Sequence, residues 1–225
     1  MIQQSTTRPW NRRLLVSLLT MLSMLVAGLG ATPVYAQPAQ GIEFAIRLTG
    51  TQYAIYMRSN FTPTTAERFV LTSQITLRAP HSSNVNEAFV INNLSSKVTG
   101  WQWEGQSPVT APVENPNFDY VTLILNAVMP GAVVWTAGEE VQILTFENQG
   151  LCLGAIELLD NNTDPYVNNG TLDVHNEISL SNPDGDPSQR YIGNYDPGMT
   201  SCPSTTVDSD GDTLTDAQEI ALGTN

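Results

Sequence analysis

Asp208, Asp210, Asp212 and Glu219 stand at positions 1, 3, 5 and 12 of the twelve-residue stretch DSDGDTLTDAQE near the carboxyl end. Alternate positions let three short aspartates converge from a tightly curled backbone, and the longer Glu219 reaches back with both oxygens. Calcium asks for this chemistry, six to eight oxygens at about 2.3–2.6 Å from flexible carboxylates and carbonyls. Position 7, Leu214, supplies a main-chain carbonyl whatever its side chain, and position 9, Asp216, binds directly or through water. Asp208, Asp210, Asp212, Leu214, Asp216 and Glu219 are therefore the expected Ca2+ ligands. Without the ion, two such charges ~4 Å apart repel by about 4 kcal/mol at an effective dielectric near 20, so the metal-free loop should open. Thr215 followed by Gln218 reads as a capping box, and Gly223 as a helix stop. Asp216–Leu222 is too short to hold a helix alone, so the cation and a packing neighbour must hold it. A solvated acidic tail would share the charge but has no need of the spacing, the glutamate and the cap.

Other groups carry less. Asp160, Asn162 and Asp164 offer oxygens at alternate positions for a second metal, as do Asn182, Asp184 and Asp186. Neither set has a distal glutamate, and self-capping Asx turns account equally for the pattern. Trp101, Trp103 and Trp135 read either as a sugar-stacking platform or as core aromatics. Cys152 and Cys202 form an even pair, read as a disulfide with two free thiols as the alternative. The bridge would close a loop of about 50 residues, for which the chain-entropy model gives roughly 4 kcal/mol. His81 and His175 lack metal-ligand spacing and read as surface residues, and Ser82 has no nucleophile elbow or paired base. Glu43, Glu87, Glu104, Glu114 and Asp119 include no pair that spacing alone marks as a glycosidase dyad. The expectation is therefore no enzyme.

The elements that must position these groups are strands. Ile42, Phe44 and Ile46 alternate with Glu43, Ala45 and Arg47, and Tyr53, Ile55 and Met57 repeat the pattern. Further runs are Phe69–Leu77 (closed by Arg78-Ala79-Pro80), Phe89–Ile91, Tyr120–Leu125, Val141–Phe146 and Ala155–Leu159. Leu172–Leu180 and Tyr191-Ile192 read as edge strands. Period two with turn residues between the runs predicts an all-β chain, an antiparallel β-sandwich of immunoglobulin or cohesin-like type, followed by a short C-terminal calcium loop plus helix.

The amino terminus carries Arg8, Arg12 and Arg13, then the uncharged Leu14–Ala31, then Val34-Tyr35-Ala36 as a small-x-small exit. This is a secretory signal, cut after Ala36, with an uncleaved anchor as its competitor. The expected organisation is a signal peptide over 1–36, a β-sandwich domain over 37–202, a linker over 203–207 and the calcium segment over 208–225. The segment 1–36 takes three of the nine basic residues and no acidic one, leaving six bases against 22 acids and a net charge of −16. Such a field repels phosphate backbones and anionic lipid and attracts cations, so nucleic acid is not an expected partner. No stretch after the signal is apolar enough to span a membrane.

The run Asp-x-Asp-Gly-Asp-x-Leu-Thr-Asp-x-x-Glu-Ile-x-x-Gly-Thr, Asp208–Asn225, resembles the thrombospondin type 3-like calcium repeats of bacterial surface proteins. It departs from the EF-hand pattern, since Gly211 is at position 4 and Thr213 at position 6 where that family has glycine. The resemblance implies a calcium-dependent stalk or linker, either a single terminal repeat or a repeat cut short in a truncated reading of a longer protein. Gly138–Phe146 and the order of strands from Ile42 to Leu159 are similar in pattern to cohesin-like and related carbohydrate-binding sandwiches. That likeness implies a secreted or cell-surface module with a protein or glycan ligand and carries over no binding residue. The function expected is adhesion or scaffolding, with a carbohydrate-binding module or a secreted hydrolase with a calcium tail as the alternatives.

Overall fold

Alternation builds the first hairpin. Strands β1 (Ile42–Thr49) and β2 (Gln52–Ser59) put Ile42, Phe44, Ile46, Ile55 and Met57 on one face, all with no solvent exposure, and Glu43, Arg47 and Arg58 on the other. The pair Thr49↔Gln52 closes a two-residue loop whose first residue, Gly50, has φ 59°. Glycine at that position turns the chain without splaying two right-twisted strands.

The computed structural model describes residues 40–84, 87–129, 131–149, 153–168, 172–195, 200 and 212. Ten more strands follow the hairpin: β3 (Val70–Pro80), β4 (Ile91–Ser96), β5 (Gln102–Gly105), β6 (Val109–Thr110), β7 (Phe118–Ala127), β8 (Glu140–Asn148), β9 (Glu157–Leu158), β10 (Glu177–Ser181), β11 (Pro187–Gln189) and β12 (Tyr191–Asn194). A 3-10 turn, Pro165–Asn168, lies between β9 and β10. One sheet has the order β12-β1-β2-β8-β4, the other β11-β10-β3-β7-β5, with β6 on β7 and β9 on β3. Among the described strands every pair is antiparallel except β1 with β12. The protein is all-β, two sheets over one core. Among the described residues no helix is long and apolar enough to cross a membrane.

The core draws Ile75 and Leu77 from β3, Val121, Leu123 and Leu125 from β7, and Ile143, Leu144 and Phe146 from β8. Each such side chain contributes about 1.5–3 kcal/mol when fully buried. Tyr53 stacks on Phe146 with ring centroids 5.0 Å apart. A second, smaller core lies outside the sheet that contains β7. There Tyr120 meets Leu159, Tyr166 and Val174, so residues 159–168 and 172–176, together the cap, cover part of that outer face.

Several expected boundaries move. The strand expected at Phe89–Ile91 begins only at Ile91 and runs to Ser96, because Phe89 is buried in the core from the preceding loop. Arg78-Ala79-Pro80 does end β3, but as its last three paired residues, opposite Tyr120, Asp119 and Phe118. β10 is not an edge, because Pro187–Gln189 folds back and adds a strand outside it. Tyr191–Asn194 is an edge strand, placed on β1.

Candidate functional site

The loop expected to bind calcium, Asp208–Glu219, lies outside the described residues apart from Asp212, which is exposed. Cys152 and Cys202 also lie outside them. Among the described residues no three His, Cys, Asp or Glu side chains gather as a metal ion would require.

Asp160, Asn162 and Asp164 are described, and Asp160 Oδ1 and both Asp164 oxygens accept hydrogen bonds from the protein itself. The Asn162 amide donates to Asp160 Oδ1 at 2.8 Å, an Asx turn. Asp164 is 2% exposed. Its Oδ2 accepts from the Arg78 guanidinium at 2.9 Å, and its Oδ1 accepts from the Tyr120 hydroxyl and the Tyr166 amide, each at 2.9 Å. Arg78 also donates twice to Glu157, at 2.7 and 3.0 Å, and lies 4.8 Å over the Phe118 ring. Burial works against the Arg78 charge, and the bonds to Glu157 and Asp164 outweigh it, so its pKa is raised. Burial, then the bond to Asp164, pushes the Tyr120 hydroxyl above its ordinary value. Asn115 donates to that same hydroxyl at 2.7 Å. Asp164 therefore fastens the cap to the outer face of the sheet.

The other end of the cap is held by amides. The Asn161 side chain donates to the Asn176 carbonyl and accepts from the Asn176 amide, each at 2.8 Å. Asn176, 1% exposed, also donates to the Leu159 carbonyl at 2.6 Å and accepts from the Thr76 amide at 2.7 Å. The second acidic run, Asn182–Asp186, is the tip of the β10–β11 hairpin. Asn182 Oδ1 accepts from the amides of Asp184 and Asp186 at 2.9 and 2.8 Å, and Gly185 takes φ 90°.

The tryptophans do not form a sugar-stacking surface together. Trp101 and Trp135 are 3% and 2% exposed within the main core, and half-buried Trp103 packs against it. Trp101 and Trp103 meet edge to face at 6.4 Å. A two-sheet core has room for such rings, and burying them yields more than leaving them in water.

His81 is partly exposed and its Nδ1 lies 2.7 Å from Asp119, which is buried. Asp119 also accepts from the Ala111 amide at 3.0 Å, which holds Ala111 at φ 43°. Ser82 donates to Glu87 and accepts from the Asn84 amide at 3.0 Å, a turn motif. His175 pairs with exposed Asp173 at 3.1 Å. The outer face of the other sheet carries a charge ladder that spacing did not reveal. Arg47 grips Glu140 with both terminal nitrogens, at 2.6 and 2.8 Å, while Arg58 donates to Glu43 at 2.8 Å and covers the Tyr195 ring at 3.9 Å. Arg47 covers the Tyr56 ring at 4.6 Å. These tyrosine rings each already carry a guanidinium on one face.

Comparison of the chain with protein-family models, with curated proteins and with solved structures gives no match.

Proposed function

We propose that this is an exported, non-catalytic calcium-binding protein, in which a cohesin-like sandwich holds a protein or glycan ligand at the cell surface for adhesion or scaffolding. One observation carries the reading: carboxylates at positions 1, 3, 5 and 12 of the sequence Asp208–Glu219, with the capping-box pattern Thr215/Gln218 beside them. The basic-then-apolar amino terminus with its Ala36 exit supports export, and Cys152 with Cys202 supports an oxidising destination. The all-β two-sheet frame agrees with an extracellular module. Asp208, Asp210, Asp212, Asp216 and Glu219 would supply side-chain oxygens and Leu214 a carbonyl. The ion neutralises charges that otherwise force the loop apart.

The test is differential scanning calorimetry with calcium and with chelator, beside a screen of glycosides and peptides for turnover. A higher Tm in calcium with no turnover supports the reading. An unchanged Tm, or hydrolysis of any substrate, contradicts it. A carbohydrate-binding module remains the second reading. The burial of Trp101 and Trp135 takes two of its three expected rings out of solvent, so it would have to use other residues.

A further inference from the structure

The chain holds three Asp-Pro bonds, 164–165, 186–187 and 196–197. An aspartyl carboxyl can attack the carbonyl carbon of its own residue, because the covalent link already keeps the two groups close. Proline suits this reaction as leaving group, since its ring nitrogen is more basic than that of an ordinary amide and departs as a secondary amine. The bond 196–197 lies outside the described residues. The fold treats the other two in opposite ways. At Asp164 the carboxyl is occupied: its oxygens accept from Arg78, Tyr120 and the Tyr166 amide, and the residue is buried. Asp186 and Pro187 are exposed to water. Nothing among the described residues bonds to the Asp186 carboxyl, while its backbone is held on both sides. Its amide donates to Asn182 Oδ1 and its carbonyl accepts from the Asn182 amide, each at 2.8 Å. Pro187 is fixed in turn as the first residue of β11, opposite Ser181.

The Asn182 N–H thus already sits on the oxygen where negative charge develops when the carbonyl carbon is attacked. The Asp164 carbonyl also has a donor, the Val167 amide at 3.2 Å, so what separates the two sites is the free carboxyl and the access of water. We propose that the chain cuts itself in acid at the Asp186–Pro187 bond. One oxygen of the protonated Asp186 carboxyl adds to the Asp186 carbonyl carbon, the carbon–nitrogen bond to Pro187 breaks, and the carboxyl proton passes to the Pro187 nitrogen. This leaves a cyclic anhydride on Asp186 and a secondary amine on Pro187, and one water opens the anhydride to two carboxyls. The new ends stay seated while β11 pairs with β10 and β12 with β1. The acidic segment, which follows the cut, loses its backbone link to the strands before it. The reaction does not depend on calcium.

The test is acid treatment of residues 37–225 at the lowest pH, about 4, at which circular dichroism shows the sheets intact, beside a neutral control. Mass spectrometry after denaturation and reduction reads the products. The expected result is a pair of fragments, 37–186 and 187–225, that grow in acid and together weigh one water more than the parent. Asp186→Asn, which has no carboxyl proton to give, should remain whole. A synthetic peptide of residues 181–189 should cleave about tenfold more slowly; a held oxyanion donor contributes about 10²–10³ in enzymes, and this one is open to water. No cut after Asp186 in acid, an equally fast cut in the peptide or in Asp186→Asn, or a cut at 164–165 as fast as at 186–187 would each overturn the proposal.

Discussion

Replacing Asp164 with alanine asks whether one buried carboxylate holds the cap on the sheet. The change removes an acceptor used by Arg78, Tyr120 and the Tyr166 amide at once, all at 2.9 Å. Losing one member of a buried charged pair costs about 3–5 kcal/mol when the other is stranded. Here Arg78 is not stranded, because it keeps Glu157 and its side chain is 27% exposed. Tyr120 keeps Asn115. The expected loss is therefore about 2–4 kcal/mol. For a domain of this size each kcal/mol moves Tm by roughly 2–4 °C, so the melt should drop by about 4–16 °C. Asp160→Ala, which gives up an acceptor for the Asn162 amide, should cost only about 0.5–1 kcal/mol. Urea denaturation followed by tyrosine fluorescence measures both. If Asp164→Ala stays within about 1 kcal/mol of the parent protein, or if Asp160→Ala is the worse of the two, the idea of Asp164 as the cap's fastening is refuted. Equal losses that appear only in calcium would instead place a metal between them.

Other outcomes follow from the same geometry. Trp135→Ala should cost about 3–5 kcal/mol through an unfilled core cavity, read as a lowered denaturation midpoint; a neutral result would mean the ring is not packed. Gly50→Ala should cost about 1 kcal/mol from its positive φ alone, since nothing lies near an added β-carbon, whereas Gly41→Ala should cost more because its β-carbon would overlap the Arg190 carbonyl oxygen. The Arg47 hydrogen bond first of all holds the Glu140 carboxyl below its ordinary range. Its stabilisation is then complete above the unfolded glutamate value and lost as pH falls through the lower folded one. Because the pair is about a third exposed, Glu140→Gln should lower Tm slightly at neutral pH and converge with the parent in acid. Burial, and then the charge of Asp173, raises the Glu177 carboxyl instead. Its ionised form opposes folding, so Glu177→Gln should raise Tm at neutral pH and lose that advantage as pH falls below the raised value.

The strands with clean alternation were readable in the chain. Ile42–Ile46, Tyr53–Met57, Tyr120–Leu125 and Val141–Phe146 all lie within strands, because one face of each meets the core and period two leaves little ambiguity. Short pairings were not readable. β6, β9 and β11 have two, two and three residues, too few to show a period, and their existence depends on the longer strands they lie against. β4 is mostly polar, so Phe89 drew attention to the wrong end of it. The Arg78–Asp164–Tyr120 cluster was hidden for another reason. Its members are 86 and 44 positions apart in sequence, and only the crossing of the cap over β3 and β7 brings them together. The alternating Asp160, Asn162 and Asp164 resemble a ligand set because turn capping and metal binding use the same short acceptors.

Calorimetric titration of calcium into residues 37–225, run beside Asp210→Ala, addresses the acidic segment directly. Saturable uptake at or below millimolar calcium, abolished or strongly weakened in Asp210→Ala, is the result expected. No heat of binding at millimolar calcium, or identical isotherms for the two proteins, would contradict it.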